Sequence, residues 1–353
     1  MHALVLERFG GPFVAKEVPT PAIAPHEALV RVRNVGVCGT DVKIRANRMG
    51  LGVIPLIMGH EIAGEVAEVG AEVRGFAAGD RVVVNFYLTC GRCPFCRAGR
   101  DTLCPETRQH GFSIDGGFAE YAINHINTLA RVPDTMSDAE ATLVVTAGTS
   151  MYGLTELGGL VAGESVVVIG PGPIGLLAVA VAKALGASPV ILTGTRNSRL
   201  AIGKELGADR VINIGDENAI DVVRDLTGGI GADYVLECAG TEATVNQAIH
   251  MANRGGKICL AAFPHDPVTT DLAHLVKNNI YVFGIRGEGR SATRRAMALM
   301  AEKRFDATKI HTHTFALADL PTALRYARDR VENAIKVVVT NRPASVLTIA
   351  AAE

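Results

Sequence analysis

Four of the seven cysteines fall together, Cys90, Cys93, Cys96 and Cys104, in the pattern C-x2-C-x2-C-x7-C. Gly91, Pro94 and Gly99 lie between them and let a loop fold around one ion. Four thiolates complete a closed tetrahedral zinc site with no open position, so such a site is structural. An odd cysteine total disfavours a disulfide framework. Cys238 and Cys259 sit in apolar, strand-like runs and read as inert core thiols. A second set is dispersed: Cys38 in Val37-Cys38-Gly39-Thr40-Asp41, and His60-Glu61 after Gly59. Thiolate, imidazole and carboxylate are all zinc ligands, and a catalytic site wants three protein ligands plus an open position. Cys38 and His60 are too far apart for a local loop, so only the fold could bring them together. Spacing alone leaves open that both are core residues.

A third constellation concerns phosphate. Val166-Val167-Val168-Ile169 runs into Gly170-Pro171-Gly172-Pro173-Ile174-Gly175, with a helical pattern behind it. This is G-x-G-x-x-G in a strand–turn–helix context. Gly170 allows the tight turn, Gly172 lets the backbone approach a pyrophosphate, Gly175 allows close packing, and the helix N-terminus faces the phosphates. At the end of the next strand an acid would accept from a ribose 2'-hydroxyl and repel a 2'-phosphate. Here Gly194, Thr195 and Arg196 stand instead. A small residue, a hydroxyl and a guanidinium favour NADP over NAD. The alternative is that Arg196 is merely solvated and NAD binds. Arg199 is a second basic residue nearby, and reads more simply as the exposed face of its helix.

These residues need a scaffold. Up to about residue 150 the chain shows short alternating strands, at 29–33, 62–66, 81–84 and 118–122, with frequent Gly and Pro. That pattern predicts an antiparallel, barrel-like domain. Apolar strands then alternate with helical patterns: strands at 165–169, 189–193, 210–213, 233–237, 257–260 and 280–283. Helices are expected at 173–185, 198–206, 219–226 and 243–252. The alternation predicts an α/β, doubly wound parallel sheet. A helix at 292–302, a strand at 309–314, a helix at 320–328 and a strand at 335–339 are expected to rejoin the first domain.

The 353 residues leave room for two domains, and 48% apolar against 20% charged residues excludes disorder for most of the chain. Lys plus Arg is 35 against 36 Asp plus Glu, a net charge of -1, which argues against wrapping a polyanion. Arg92, Arg97 and Arg100 decorate the four-cysteine loop but read as a solvated face. Trp is absent and aromatics are 5%, so base-stacking platforms and membrane aromatic belts are not indicated. The apolar run 174–182 stops at Lys183 and the tail 344–352 is short, whereas a spanning helix needs about 20 apolar residues. The N-terminus has no basic region followed by an apolar one, so the expectation is a cytoplasmic protein with neither nucleic acid nor membrane as partner.

The chain resembles the zinc-dependent medium-chain alcohol and polyol dehydrogenases, the group of sorbitol and threonine dehydrogenases. The run G-H-E-x2-G-x-V-x2-V-G-x2-V-x5-G-D-R-V spans Gly59 to Val82, and V-C-G-T-D, the four-cysteine loop and the glycine turn follow the family's order. The resemblance implies a GroES-like β-rich catalytic domain (1–153, structural-zinc loop 88–105), a Rossmann domain (154–291) and a return to the catalytic domain (292–353). It implies Cys38 and His60 as catalytic-zinc ligands, with Glu61 as a direct ligand or a carboxylate behind it. Cys90, Cys93, Cys96 and Cys104 would hold structural zinc, and Thr40 would open a proton relay. Gly170, Gly172, Pro173, Ile174, Gly175, Gly194, Thr195, Arg196 and Arg199 would face the dinucleotide.

Two positions depart from the pattern. The family's Glu, Asp or Cys near the metal falls at Thr146, a poor neutral ligand, which shifts weight onto Glu61. Its frequent relay histidine is Lys43, which is more often solvated than engaged. The reading is a zinc- and NADP-dependent oxidoreductase acting on a secondary alcohol, a polyol or the ketone, and the resemblance implies a homodimer or homotetramer pairing through the sixth strand. Arg286 after that strand stands either near the substrate or in a surface ion pair. The rivals are a zinc-independent reductase of the same fold and a non-catalytic NADP-binding protein.

Overall fold

The computed structural model describes residues 1–341 apart from Leu51 and His265. The tail run 344–352 therefore lies outside the described residues. Among those described, no helix is long and apolar enough to cross a membrane.

The chain begins with β1 (His2–Leu6), β2 (Phe13–Glu17) and the long β3 (Glu27–Val37), then α1 (Gly39–Arg45). Next come β4 (Leu56–Ile57), β5 (Glu61–Val69), β6 (Arg81–Val84), β7 (Tyr87–Leu88) and the one-turn α2 (Pro94–Arg97). β8 (Arg108–Gln109), β9 (Tyr121–His125), β10 (Leu129–Arg131) and α3 (Asp138–Thr155) complete this part. Six strands alternate with helices after it: β11 (Val166–Ile169), α4 (Pro173–Ala184), β12 (Val190–Gly194), α5 (Asn197–Glu205), β13 (Arg210–Asn213) and α6 (Ala219–Leu226). They continue as β14 (Ala232–Glu237), α7 (Glu242–Met251), β15 (Ala252–Leu260), α8 (Leu272–Asn278), β16 (Tyr281–Gly284) and α9 (Arg290–Ala301). The chain returns through β17 (His311–Ala316), α10 (Leu320–Asp329) and β18 (Lys336–Thr340).

Two compact units result. The first holds Met1–Val145 and the chain from His311, and the second holds Thr146–Ile310. The expected boundaries fell at 153/154 and 291/292. The second unit also takes the latter half of α3 and all of α9.

In the first unit a seven-stranded sheet runs β10-β6-β5-β3-β18-β17, with β9 on β3, beside a three-stranded sheet β2-β1-β4. Alternate residues of β3, among them Val30, Val32, Val35 and Val37, turn into a core shared with Leu6, Met58, Val66, Val84 and Phe118. Register matters for the chemistry. Gly36 on β3 faces Glu61 on β5 and Val338 on β18. The long β3 is therefore a spine that ends at Cys38 and also carries the returning strand β18.

The second unit is a six-stranded parallel sheet ordered β13-β12-β11-β14-β15-β16. Val166, Val167, Val168 and Ile169 are all buried. A strand covered on both faces reads as a continuous apolar run, and that is why the sequence resolved it. The strand order reverses between β11 and β14, which is where open parallel sheets leave a ligand crevice.

Candidate metal centre and dinucleotide turn

β3 ends at Val37, and Cys38 caps α1. Its sulfur accepts the Thr40 N–H at 3.5 Å, while the Asp41 carboxylate accepts the Cys38 N–H at 2.8 Å. This reciprocal cap fixes Cys38 at the strand–helix junction. His60 and Glu61 arrive on β5, which pairs antiparallel with β3. Residues distant in sequence are thereby brought together: one ligand atom from each of Cys38, His60 and Glu61 lies within 4.8 Å of the others.

Asp41 has a second task. Its Oδ1 lies 3.1 Å from His60 Nδ1, with both side chains almost fully buried. A carboxylate accepts, so Nδ1–H donates and the Nε2 lone pair is the one that could face a metal. Burial alone would lower the His60 pKa, but the Asp41 charge and hydrogen bond, helped by Cys38, hold it well above its ordinary value. Phe86 and Phe112 meet the imidazole edge-on, with centroids 5.2 and 5.0 Å away, and stack on each other at 5.5 Å. That side of the centre is apolar.

Glu61 is also engaged from behind. Its Oε2 pairs with the ammonium of Lys336, and the residues are 4% and 2% exposed. Gly36 makes the pair possible: a Cβ there would fall 2.2 Å from Glu61 Oε2 and 3.0 Å from Lys336 Cε. One donor set therefore contains a thiolate, an oriented imidazole and a carboxylate held by a cation, which fits a catalytic zinc. Sequence reasoning assigned no role to Asp41, Lys336, Phe86 or Phe112. Of these only Asp41, three residues after a capping Cys38, carried a local signal.

Thr146 is buried, and its carbonyl accepts the Ser150 hydroxyl at 3.2 Å. It opens the second unit. Lys43 lies half-buried on α1.

The four-cysteine loop is organised by N–H···S bonds of 3.4 Å: Cys90 N to Cys104, Cys93 N to Cys90, and Cys96 N to Cys93. The four sulfurs lie within 4.8 Å of one another. Tetrahedral zinc–thiolate bonds of about 2.3 Å set S···S edges of about 3.8 Å, so this cluster fits a closed zinc. Arg92 pairs with Glu106 at 2.6 Å on the exposed face of the loop. Cys259 is a buried core thiol, whereas Cys238 is only half-buried at the start of the turn after β14; desolvation pushes Cys259 up to about 12 and Cys238 well above its ordinary value.

In the second unit Gly170 has φ +99°, a conformation that favours glycine. A Cβ on Gly175 would lie 2.1 Å from Gly170 O, so the helix packs directly on the turn. Gly172 caps α4 and a Cβ there would meet nothing within 4 Å, which leaves that face of the turn open. Pro173 and Ile174 form the first turn of α4, and Ile174 O accepts the Ser150 hydroxyl at 2.8 Å. Gly194 has a local reason to be glycine: a Cβ would meet the Pro171 ring at 2.5 Å. Thr195 is exposed and Arg196 caps α5, its guanidinium in no hydrogen bond or ion pair among the described residues. Arg199 is not on an exposed helix face. It is 8% exposed, and Nη1 donates to Pro171 O at 3.4 Å, so it braces the glycine turn.

Two family models match the chain: "Alcohol dehydrogenase GroES-like domain" over residues 24–134 and "Zinc-binding dehydrogenase" over 173–302. The chain belongs to the zinc-binding alcohol dehydrogenase family. Members at this distance include L-threonine 3-dehydrogenase of Pseudoalteromonas translucida, 34% identical over 86% of this chain and 89% of the relative. The alcohol dehydrogenase of Thermus sp. ATN1 is 31% identical, with TM-score 0.87, covering 96% of this chain and 99% of that one. A zinc-binding dehydrogenase of Sinorhizobium meliloti 1021, solved bound to NADP, is 28% identical with TM-score 0.89 over 96% and 98%. This zinc-type dehydrogenase is accordingly an NAD(P)-dependent oxidoreductase acting on CH–OH donors.

Proposed function

We propose that this enzyme moves hydride between a secondary alcohol or polyol, or the matching ketone, and a nicotinamide dinucleotide, NADP in preference to NAD. The catalytic zinc is assigned to Cys38, His60 and Glu61, and the structural zinc to Cys90, Cys93, Cys96 and Cys104. The observation that carries the reading is the convergence of Cys38, His60 and Glu61 with Asp41 already orienting the imidazole. L-threonine, the substrate named for the curated relatives, is itself a secondary alcohol and falls in this class.

Zinc at this site supplies Lewis acidity, which lowers the pKa of a bound hydroxyl and polarises a carbonyl. The chain's residues do the rest. Thr40, whose N–H rests on the Cys38 sulfur, offers the hydroxyl that takes the substrate proton and passes it outward. Asp41 keeps the His60 ring in one tautomer. Phe86 and Phe112 keep water from the His60 side. A bound nicotinamide dinucleotide would supply the acceptor for the hydride of the carbinol carbon. Gly170, Gly172 and the α4 N-terminus suit the pyrophosphate. Arg196 and Thr195 suit a 2'-phosphate, and since Pro171 alone accounts for Gly194, Arg196 carries the NADP preference. The exposed edge of β16, with Tyr281 59% and Val282 41% exposed, suits edge-to-edge pairing of two copies into a homodimer or half of a homotetramer. Seven cysteines without a disulfide among them fit a reducing, cytoplasmic setting.

The test combines metal analysis with turnover. Two zincs per chain, loss of alcohol oxidation in Cys38→Ser, and a rise of about ten-fold or more in KM for NADP but not NAD in Arg196→Ala are expected. One zinc per chain with activity that survives chelation would instead establish the zinc-independent reductase. Two zincs without turnover on any alcohol would establish the non-catalytic binder.

A further inference from the structure

The second unit holds a buried acid that the hydride chemistry does not use. Glu237 is the last residue of β14 and is 0% exposed. A buried carboxylate is costly unless hydrogen bonds compensate it. Glu237 Oε1 accepts two backbone N–H groups, Ala239 and Gly240, each at 2.8 Å. Its own carbonyl accepts the N–H groups of Ala261 and Ala262 at 2.8 and 3.2 Å. One residue thus ties the end of β14 to its own turn and to the loop after β15.

That turn is packed on both sides. Cys238 N donates to Ile169 O at 2.9 Å, and a Cβ on Gly170 would sit 3.2 Å from Ala239 Cβ and 3.3 Å from Ala239 N. On the other side Gly240, with φ +72°, faces Ala262 so closely that an added Cβ would lie 2.9 Å from it. The turn at 238–240 is therefore a wedge against the first glycine of the phosphate turn. It lies after β14, the neighbour of β11 at the point where the strand order reverses. Glu237 Oε2 has no hydrogen-bond partner among the described residues. The geometric work is thus carried by Oε1, an oxygen that an uncharged amide would also provide.

We infer that Glu237 is a positioning residue for the dinucleotide: it locks the 238–240 turn and through it the place of Gly170. The inference rests on the reading of this crevice as the dinucleotide site. Glu237→Met removes the acceptor at similar volume, whereas Glu237→Gln keeps a carbonyl oxygen for the same two amides. Dinucleotide dissociation constants, measured by titration without alcohol, should rise about ten-fold in the Met variant and stay near wild type in the Gln variant. The turnover number should change by no more than about two-fold. Hydrogen exchange at Ala239 and Gly240 should quicken in the Met variant only. If the Met variant does not fold, Glu237→Asp, which keeps the charge but shortens the reach, should weaken binding in the same way.

A Met variant that binds like wild type, or a Gln variant as weak as Met, overturns the assignment of Glu237 alone. A wild-type protein that binds neither NADP nor NAD overturns the crevice reading, and this inference with it.

Discussion

Lys336→Met tests how the Glu61 carboxylate is held. Lys336 and Glu61 are 2% and 4% exposed, so water does little to screen either charge. Removing one partner of a buried pair leaves the other without its counter-charge and costs about 3–5 kcal/mol. Replacing both by uncharged groups of similar volume removes most of that cost. The double variant Glu61→Gln/Lys336→Met should therefore recover most of what Lys336→Met loses. Because the protein has two compact units, a single global unfolding midpoint would blur the effect. Native-state hydrogen exchange at the β3–β18 ladder reads it locally, at Val35–Val339 and Val37–Val337. At tenfold per 1.4 kcal/mol, a loss of about 3 kcal/mol lowers protection there about a hundred-fold in the chelator-treated single variant. Wild-type protection in Lys336→Met, or a double variant less protected than the single one, would refute the argument.

Asp41→Asn keeps the shape of the side chain but removes the carboxylate that orients His60. Zinc affinity measured by competition with a chromophoric chelator should fall about 10–100-fold. In the second unit, Asp233 accepts from Ser165 N and Oγ at 2.9 and 2.7 Å and from Asn253 at 3.3 Å. Burial would raise its pKa, but these donors outweigh it and hold the carboxyl below its ordinary value. The stabilisation is complete above the unfolded-state carboxylate pKa and disappears as pH falls through the lower folded-state value. Asp233→Asn should cost about 1 kcal/mol at pH 7, allowing for solvent screening, read as lost hydrogen-exchange protection at the Val166–Tyr234 pair of β11 and β14, and the difference from wild type should vanish in acid.

The second unit was legible because its strands are buried on both faces and its helices begin at marked turns. β13 and α6 fall where the sequence placed them, and the glycine turn announced itself by type and order. The four-cysteine loop was legible for a similar reason, since its donors are neighbours in sequence. The first unit was harder to read. Which of Cys38, His60 and Glu61 meet depends on the β3–β5 register, and a one-residue slip would send alternate side chains to the other face. Lys336 was hidden altogether. In Ile335-Lys336-Val337 it reads as a solvated break in an apolar strand, and only its distant partner explains why it is buried. Arg199 misled in the same sense, because helical position alone did not reveal the Pro171 carbonyl that it meets. Gly36 carried no signal, since its reason is a pair of charges that β3 itself does not contain.

The insertion of β18 between β3 and β17 has a consequence for biogenesis. A ribosome delivers β3 and β5 early, yet the strand that closes their sheet emerges only after the whole dinucleotide unit. Until then the Asn34–Val37 half of one side of β3, beyond the half that β9 covers, is an open template for mispairing, and Glu61 waits without its cation. A nascent chain halted before residue 336 should thus be sticky and poorly able to retain zinc at Cys38 and His60, however well its second unit has already folded.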